Sequence, residues 1–256
     1  MNLHVLLKYF PQLGDLIMIR FILIILAIVL YLLLTSPMIL FLKVTNEKHK
    51  ERNDRIASNM IRWVFRVILK MAGAKITVTG KENIPEEPVL YVGNHRSYFD
   101  ILTGYVSIDG CCGFVSKKEM EKIPLLSTWM RLISCLFLDR KDIKQGLKTI
   151  LAAVDQVKKG TSVWIFPEGT RSKTGEMLEF KEGSMKIAEK SGCPIIPVAI
   201  KGTDDLYEKH RPFVRPANIQ IHFGEPVYPK QMSREEKKFL GAAMRSKIQE
   251  MLDEME

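Results

Sequence analysis

The sequence predicts an α/β protein in which a mixed β-sheet is flanked by helices, preceded by an N-terminal membrane helix and an amphipathic interfacial helix. Two observations predict this fold class. From Gly73 onwards, short apolar segments of strand length alternate with helical patterns, as in sheets covered by helices. Before that point, residues 16–42 are almost wholly apolar. We therefore divide the chain into a membrane segment over residues 1–48, an interfacial helix over residues 49–72 and a globular domain over residues 73–256.

The composition narrows the classes of partner. The chain has 256 residues, of which 46% are hydrophobic and 26% are charged, and its formal net charge is +9. A basic balance favours a nucleic acid, an acidic membrane surface or a phosphorylated substrate, although solubility alone explains it equally well. Because a membrane segment accompanies the charge, we expect an anionic membrane surface as a partner and no nucleic acid.

The cysteines do not indicate a metal site or a disulfide. None of the four forms a C-x-x-C pair, and no histidine lies at zinc-finger spacing. We interpret them as small buried residues in a reducing compartment. They are Cys111, Cys112, Cys135 and Cys193.

The apolar run over residues 16–42 predicts a membrane helix. A spanning helix needs about 20 such residues, and a soluble helix rarely stays apolar on every face for that long. The run is also longer than the apolar region of a signal peptide, which is about 7–15 residues. Pro37 leaves two alternatives open. It either kinks a helix that spans the bilayer, which we favour, or turns the chain back within one leaflet.

The charges on the two sides of this run predict its orientation. Only Lys8 and Arg20 lie towards the N-terminus. The basic residues that follow the run are Lys43, Lys48, Lys50, Arg52 and Arg55. By the positive-inside tendency, we expect the globular domain on the cytoplasmic side of the cell membrane.

Residues 56–71 form a basic amphipathic pattern. Arg62, Arg66 and Lys70 recur on one face, with Trp63 near the middle of the segment. The apolar residues of the other face are Met60, Ile61, Val64, Phe65, Ile68 and Leu69. This composition is typical of a helix at a membrane interface, while a helix packed on the domain core fits equally well. The two alternatives are compatible if the helix lies between the core and the membrane.

The globular domain divides into alternating strands and helices. The predicted strands cover residues 75–79, 89–92, 113–116, 135–138, 162–166, 195–200 and 219–223. The predicted helices cover residues 98–107, 125–132, 143–158 and 183–190, and a last helix begins at Ser233. Ser233 and Glu236 form the Ser-x-x-Glu pattern of a capping box.

A first candidate site follows the second predicted strand, in the run N-H-R-S-Y-F-D over residues 94–100. Asp100 falls about one helical turn after the turn that carries His95, so its carboxylate can reach the imidazole. A carboxylate on one ring nitrogen fixes the tautomer and leaves the other nitrogen as a general base. The spacing alone is common by chance, and a histidine that caps a loop is the simpler explanation of it.

A second candidate site follows the fifth predicted strand, in the run F-P-E-G-T-R-S over residues 166–172. Gly169 permits a tight turn, and Arg171 supplies a forked, permanently charged group suited to phosphate. Thr170 and Ser172 add hydroxyl donors. Both runs follow a strand, where open α/β sheets usually bind ligands. A plain surface loop is the alternative, and the density of polar groups argues against it.

Two lysines lie between these runs. Lys117 and Lys118 come at the end of the third predicted strand. They are suited to part of an anion site, although a solvated charged turn is the simpler explanation of the pattern.

Taken in order, these runs closely resemble the blocks of the glycerolipid acyltransferase family, and within it the bacterial 1-acyl-sn-glycerol-3-phosphate acyltransferases. The block N-H-x-S-x-x-D is residues 94–100, and the block F-P-E-G-T-R-S is present without change at residues 166–172. A lysine block with Lys118, an Asp-Arg pair ending at Arg140 and an apolar block around Pro197 complete the set. The resemblance implies the fold of the glycerol-3-phosphate acyltransferases for the globular domain.

The resemblance also implies a reaction. A fatty acyl group would pass from acyl-coenzyme A or acyl carrier protein to the sn-2 hydroxyl of lysophosphatidic acid, giving phosphatidic acid in phospholipid biosynthesis. No covalent acyl-enzyme, no metal and no cofactor other than the acyl donor are implied.

The same resemblance assigns the residues. His95 would be the general base, and Asp100 would orient it. Arg171, with Glu168 and Gly169 nearby, would hold the glycerol phosphate. The further substrate-binding residues implied are Asn94, Ser97, Lys118, Arg140, Thr170, Ser172 and Pro197.

Three alternatives stay open: acyl transfer to another lysolipid, a catalytically silent lipid binder at the membrane, and a thioesterase or lipase. Arg171 favours a phosphate-bearing acceptor without identifying it. A silent binder would not require His95 and Asp100 together beside Ser97. The G-x-S-x-G elbow is missing from the sequence, which argues against a serine hydrolase.

Overall fold

The computed structural model describes residues 11–45 and 48–255. Its helices are α1 (Pro11–Leu34), α2 (Ser36–Thr45), α3 (Lys50–Ala72), α4 (Phe99–Ser107), α5 (Leu126–Leu132), α6 (Ile143–Lys158), α7 (Lys186–Ser191), α8 (Arg234–Lys238) and α9 (Leu240–Glu254). Its strands are β1 (Ala74–Thr79), β2 (Leu90–Gly93), β3 (Cys112–Lys117), β4 (Leu136–Leu138), β5 (Ser162–Ile165), β6 (Ile195–Lys201) and β7 (Ala217–Phe223). Lys8, which contributes to the predicted charge asymmetry, lies outside the described residues, as does the start of the predicted segment 1–48.

The seven strands form one mixed sheet in the order β1-β7-β6-β2-β5-β3-β4. From β6 to β4 the neighbouring strands are parallel, whereas β7 is antiparallel to β6 and parallel to β1. The prediction of an α/β fold with a mixed, helix-flanked sheet is therefore confirmed. Because five strands run in one direction, their carboxyl ends lie at one edge of the sheet, with β2 between β6 and β5.

The predicted elements agree closely with the structure. Each strand begins and ends within two residues of its predicted bounds, and α6 has the predicted bounds. The capping box is present, since the Ser233 hydroxyl accepts from the Glu236 N–H and the Glu236 carboxylate accepts from the Ser233 N–H at 2.7 Å. Phe239, with a φ of −116°, divides the last predicted helix into α8 and α9.

Alternate residues of the central strand β2 enter two separate cores. Tyr91 packs against Trp164 and Phe223, with ring centroids 5.0 and 6.1 Å away. This core also takes residues from α1 to α5. Leu90 and Val92 lie in the other core, beneath α6, α7 and α9. Because both faces are covered, β2 is apolar at every position rather than at alternate ones.

The predicted continuous helix over residues 16–42 is instead broken into α1 and α2 at Thr35. The Thr35 hydroxyl donates to the Tyr31 carbonyl at 2.6 Å and accepts from Trp129 Nε1 at 3.1 Å. Pro37 lies in the first turn of α2, where its missing N–H is tolerated. The break therefore has a local cause in the proline and a long-range cause in the contact with α5.

This bend changes how the N-terminal helices relate to a bilayer. Of the described helices, none is by itself long and apolar enough to cross a membrane. Met18–Leu34 and Ser36–Thr45, bent by 45°, meet the requirements of length and composition only as a pair. The expectation of one spanning helix is not confirmed.

Helix α3 packs on the core through its apolar face, since Ile61, Val64 and Ile68 are buried. Arg62 does not lie on the exposed basic face as predicted. It is buried and donates to the Gly110 carbonyl at 2.8 Å. That carbonyl lies at the turn before β3 and attracts the guanidinium inwards. The face that remains exposed carries Arg66, Lys70 and Trp63. The predicted division of the chain at residues 48 and 72 stays a prediction.

We expect Gly104→Ala to destabilise the fold. Gly104 lies on α4, and a Cβ there would come within 2.8 Å of the Trp164 ring, which is fully buried. Overpacking of this kind typically costs about 1–3 kcal/mol. Chemical denaturation of the detergent-solubilised protein measures the free energy of unfolding.

Gly183→Ala is the matched control for Gly104→Ala. A Cβ at Gly183 would meet nothing within 4 Å. Equal unfolding midpoints for the two variants would contradict the packing described for the Trp164 core.

Candidate active site

The two predicted runs meet at the carboxyl edge of the sheet. β2 leads into the turn with His95, and the neighbouring strand β5 leads into the loop with Glu168. The loops touch directly, because the Ser172 N–H donates to the His95 carbonyl at 2.9 Å. The sheet therefore brings together two runs that are far apart in the sequence.

The His95 ring is held by a buried carboxylate. Nδ1 of His95 lies 2.8 Å from Oδ2 of Asp100, which has no exposed surface. The same oxygen accepts from the backbone N–H groups of Arg96 and Ser97 at 2.7 and 2.8 Å. The other oxygen accepts from the Thr203 hydroxyl. With the carboxylate fixed by these donors, the ring carries its proton on Nδ1 and leaves Nε2 as an acceptor.

Aromatic packing fixes the plane of the same ring. His95 stacks on Phe166 with centroids 4.1 Å apart and an interplanar angle of 13°. Phe166 in turn packs on Phe114 and Trp164. The His95 side chain is 13% exposed, so most of the ring is buried. The imidazole is therefore oriented from one edge and one face before any substrate arrives.

Glu168 supports the backbone beneath His95. Its Oε1 accepts from the His95 N–H at 2.6 Å and its Oε2 accepts from the Leu178 N–H at 2.9 Å. Burial raises the pKa of this carboxyl group, and the two N–H groups partly counter that effect. Both oxygens of Glu168 are engaged by the backbone, and its predicted part in binding the glycerol phosphate stays a prediction. Gly169, which follows, has a φ of +72°, a conformation that favours glycine.

Arg171 lies in the loop after β5, and its side chain packs against Tyr98 at the start of α4. Its guanidinium stacks over the Tyr98 ring, with Cζ 3.6 Å from the centroid. Its Nη1 donates to Oε1 of Glu208 at 2.7 Å. The Ser97 hydroxyl donates to the other oxygen of Glu208. The predicted phosphate ligand is therefore joined to the histidine run through a carboxylate that the sequence did not indicate.

Two residues expected to contact substrate are buried instead. Asn94 has no exposed surface, because its side chain pairs with both the N–H and the carbonyl of Ile200 at 2.8 Å. This pairing extends the contact between β2 and β6. Pro197 is also buried, in register with Val92 within the sheet. Both side chains contribute to the scaffold of the site, and their contact with substrate stays a prediction.

The remaining residues predicted to bind substrate differ in their burial and in their contacts with the site. Ser172 is buried beneath the His95 turn, and Thr170 is exposed at the loop tip. Lys118 pairs with Asp139 at 3.1 Å, next to the exposed Arg140. Within the described part of the chain, no hydrogen bond or ion pair joins Lys118 or Arg140 to the cluster of His95 and Arg171.

Three contributing residues were missed from the sequence. Thr203 and Glu208 follow β6, whose carboxyl end lies at the same edge as that of β2, so polar residues after β6 were the available signal. Phe166 is the first residue of the run F-P-E-G-T-R-S, but nothing in that run indicates that its ring supports His95. For the residues that the structure describes, no group of three His, Cys, Asp or Glu side chains is arranged to hold a metal ion, and the four cysteines are free.

Comparisons with known proteins find similarity to one family. Residues 75–201 match the Acyltransferase family model. The chain is similar to the 1-acyl-sn-glycerol-3-phosphate acyltransferase of Borreliella burgdorferi, with 32% identity over 202 residues, 78% of this chain and 80% of that protein. It is also similar to the 1-acyl-sn-glycerol-3-phosphate acyltransferase of Saccharomyces cerevisiae, with 36% identity over 149 residues. That match spans 57% of this chain and 49% of the yeast protein.

The fold is similar to the crystal structure of the 1-acyl-sn-glycerophosphate (LPA) acyltransferase PlsC from Thermotoga maritima. The TM-score is 0.78 at 27% sequence identity, over 93% of this chain and 97% of that chain. The similarity therefore extends beyond residues 75–201 into the helices on both sides.

We expect nitrogen NMR of the histidine side chains, in mildly alkaline buffer, to find the His95 proton on Nδ1. Asp100→Asn should shift the ring towards the other tautomer, because an amide in place of the carboxylate no longer favours a proton on Nδ1.

Asp204→Asn is the control, since Asp204 is an acidic neighbour of Thr203 that pairs with Lys209 at 3.0 Å. It should leave the His95 signals unchanged. A wild-type ring protonated on Nε2 would contradict the described geometry.

Proposed function

The chain belongs to the acyltransferase family, and from this premise we propose that it makes phosphatidic acid by acylating the sn-2 hydroxyl of 1-acyl-sn-glycerol-3-phosphate. The proposal rests mainly on the pair of His95 and Asp100 beside Arg171. His95 would act as the base and Arg171 would bind the phosphate, at the same edge of the sheet. Relatives that bear the name of this activity support the assignment. The reaction belongs to phospholipid biosynthesis.

In the proposed mechanism, Nε2 of His95 takes the proton of the sn-2 hydroxyl as its oxygen attacks the carbonyl carbon of the thioester. The carbon–sulfur bond of the tetrahedral intermediate then breaks, and the proton passes from the imidazolium to the departing thiolate. Asp100 stabilises the imidazolium between these steps. A thioester is already activated, so direct attack needs no covalent acyl-enzyme.

Binding of the acceptor is proposed to fix the hydroxyl at His95. Arg171 would hold the phosphate group, since a guanidinium makes paired, charge-assisted hydrogen bonds with phosphate oxygens. The Ser97 hydroxyl and Arg171 donate to the same carboxylate, that of Glu208, so Ser97 is suited to a further contact. Lys118 and Arg140 would contribute a longer-range positive potential, since they are not in contact with the cluster.

The proposed acyl donor is acyl-coenzyme A or acyl carrier protein. Both are anionic, and a formal net charge of +9 favours their approach. No metal or further cofactor enters the proposed chemistry.

We also propose that the protein is held at the cytoplasmic face of the cell membrane. The helices α1 and α2 expose a set of large apolar side chains that includes Leu26, Leu30 and Phe41. Trp63 on α3 is 60% exposed beside Arg66 and Lys70. Exposed apolar surface of this extent, next to basic and aromatic side chains, supports contact with anionic lipid.

We expect His95→Ala to reduce kcat by about 10²–10⁴, the usual contribution of a general base. The assay follows labelled acyl groups from acyl-coenzyme A and from acyl carrier protein to lysophosphatidic acid in detergent micelles. His222→Ala is the control, because this histidine lies on β7 and contacts Thr79.

Several outcomes would count against the proposal. Transfer to a different lysolipid alone would favour another acceptor. Equal binding of anionic lipid by wild type and His95→Ala, without transfer by either, would favour a silent binder. Loss of activity in His222→Ala to the same degree would show that the effect is not specific to His95.

For the membrane proposal, we expect the double substitution Leu26→Asp, Leu30→Asp to lower the fraction of protein that floats with anionic vesicles. The two side chains are 49% and 45% exposed. Loss of apolar contact and the cost of burying charge should weaken binding by about tenfold or more.

The matched control is Leu147→Asp, Leu151→Asp on α6, where the side chains are 54% and 41% exposed at the same spacing. It should float like the wild type. Equal loss in both double variants would mean that general surface hydrophobicity, not α1, governs binding.

A further inference from the structure

The carboxylate of Glu208 lies where donors suited to an anion converge. It accepts from Arg171 Nη1 at 2.7 Å, from the Tyr98 N–H at 3.1 Å and from the Ser97 hydroxyl. A second guanidinium, that of Arg211, lies near the same carboxylate, with Nη2 3.6 Å from Oε1 of Glu208. The Glu208 side chain is only 13% exposed, so it fills this position rather than resting on its surface.

The same donors are suited to bind the phosphate group of the acceptor. Tyr98 is the N-cap residue of α4, and backbone N–H groups at a helix N-terminus favour anions. Arg171 and Ser97 contribute a guanidinium and a hydroxyl, and Ser97 is two residues from His95. Glu208 therefore occupies a site whose chemistry matches an anionic group of the substrate.

We propose that Glu208 is a specificity-determining residue that the phosphate of the acceptor has to displace. The inference rests on the proposed function and extends it to the choice among lysolipids. A competing carboxylate inside the site sets a threshold, because only an anion that binds these donors better than Glu208 enters. Such a built-in competitor is a means of rejecting the wrong ligand.

The threshold separates phosphate monoesters from phosphodiesters. A monoester carries about −1.5 to −2 charges at neutral pH and offers three terminal oxygens. A phosphodiester carries a single charge and two terminal oxygens, which gives it no electrostatic advantage over a carboxylate. Glu208 therefore favours lysophosphatidic acid and disfavours lysolipids with a further headgroup on the phosphate.

The surrounding segment permits this displacement without unfolding. Leu206 is fully buried, and Tyr207 stacks on Phe21 of α1 with centroids 5.7 Å apart. These contacts hold the backbone on the N-terminal side of Glu208. Arg211, whose side chain is 49% exposed, lies on the outer side and can retain Glu208 when its carboxylate turns away from Arg171.

The test compares two acceptors with the same acyl chain, lysophosphatidic acid and lysophosphatidylglycerol, in wild type and Glu208→Gln. Glutamine keeps the length of the side chain and one acceptor oxygen but removes the charge. We expect kcat/KM for the phosphodiester to rise, chiefly through KM, so that the preference for the monoester falls about tenfold or more. Glu208→Asp, which withdraws the charge by one methylene, should move the preference in the same direction by less.

Asp205→Asn is the matched control, since it removes a neighbouring charge that pairs with Lys209 rather than with Arg171. It should leave the preference unchanged. A parallel loss for both acceptors in Glu208→Gln, with the preference intact, would overturn the proposal and assign Glu208 a structural role. An unchanged preference in a folded, active Glu208→Gln protein would overturn it as well.

A binding measurement separates this inference from the proposed function. Isothermal titration with short-chain forms of the same two lysolipids yields the preference without turnover. If the wild type transfers no acyl group, the proposed function fails, while the ratio of the two affinities in wild type and Glu208→Gln still decides the role of Glu208.

Discussion

A single buried carboxylate, that of Asp100, determines the geometry on which the site depends. Removing a carboxylate from water is costly unless its oxygens are hydrogen-bonded, and here the donors come from two separate parts of the fold. The His95 ring and two N–H groups come from the turn after β2, and the Thr203 hydroxyl comes from beyond β6. Satisfying Asp100 therefore fixes the turn, α4 and the neighbouring strand in one arrangement. The position of His95 is a consequence of that requirement.

Glu168 extends this constraint at a cost in stability. Burial raises the pKa of its carboxyl group above that in the unfolded chain. The free energy of unfolding therefore falls as the pH rises and Glu168 ionises. The N–H groups of His95 and Leu178 offset part of that cost. In return, the backbone of His95 is fixed from below, while Phe166 fixes its ring. A base held in this way loses little orientational freedom when the substrate binds.

Much of this arrangement follows from the sequence, because residues after parallel strands gather at one edge. The proximity of His95 and Glu168 could be predicted on that basis once β2 and β5 were identified. For Thr203 and Glu208 the same rule gives only the edge of the sheet and not the partners, which are 103 and 111 residues away, because local periodicity does not encode the order of strands. The inward turn of Arg62 depends likewise on the distant Gly110 carbonyl. The residues missed are those whose roles depend on contacts between elements.

The pairing of Arg171 with Glu208 has a physical cause of its own. Through Tyr207, the segment that carries Glu208 packs on Phe21, so one wall of the anion site adjoins an apolar helix. A guanidinium in partly buried surroundings needs a counter-charge, because an unpaired charge there is costly. Glu208 supplies that charge in the free protein, and the phosphate of the acceptor would supply it in the complex. Exchange of one anion for another keeps Arg171 neutralised throughout, so selectivity arises from the difference between two anions rather than from the strength of one contact.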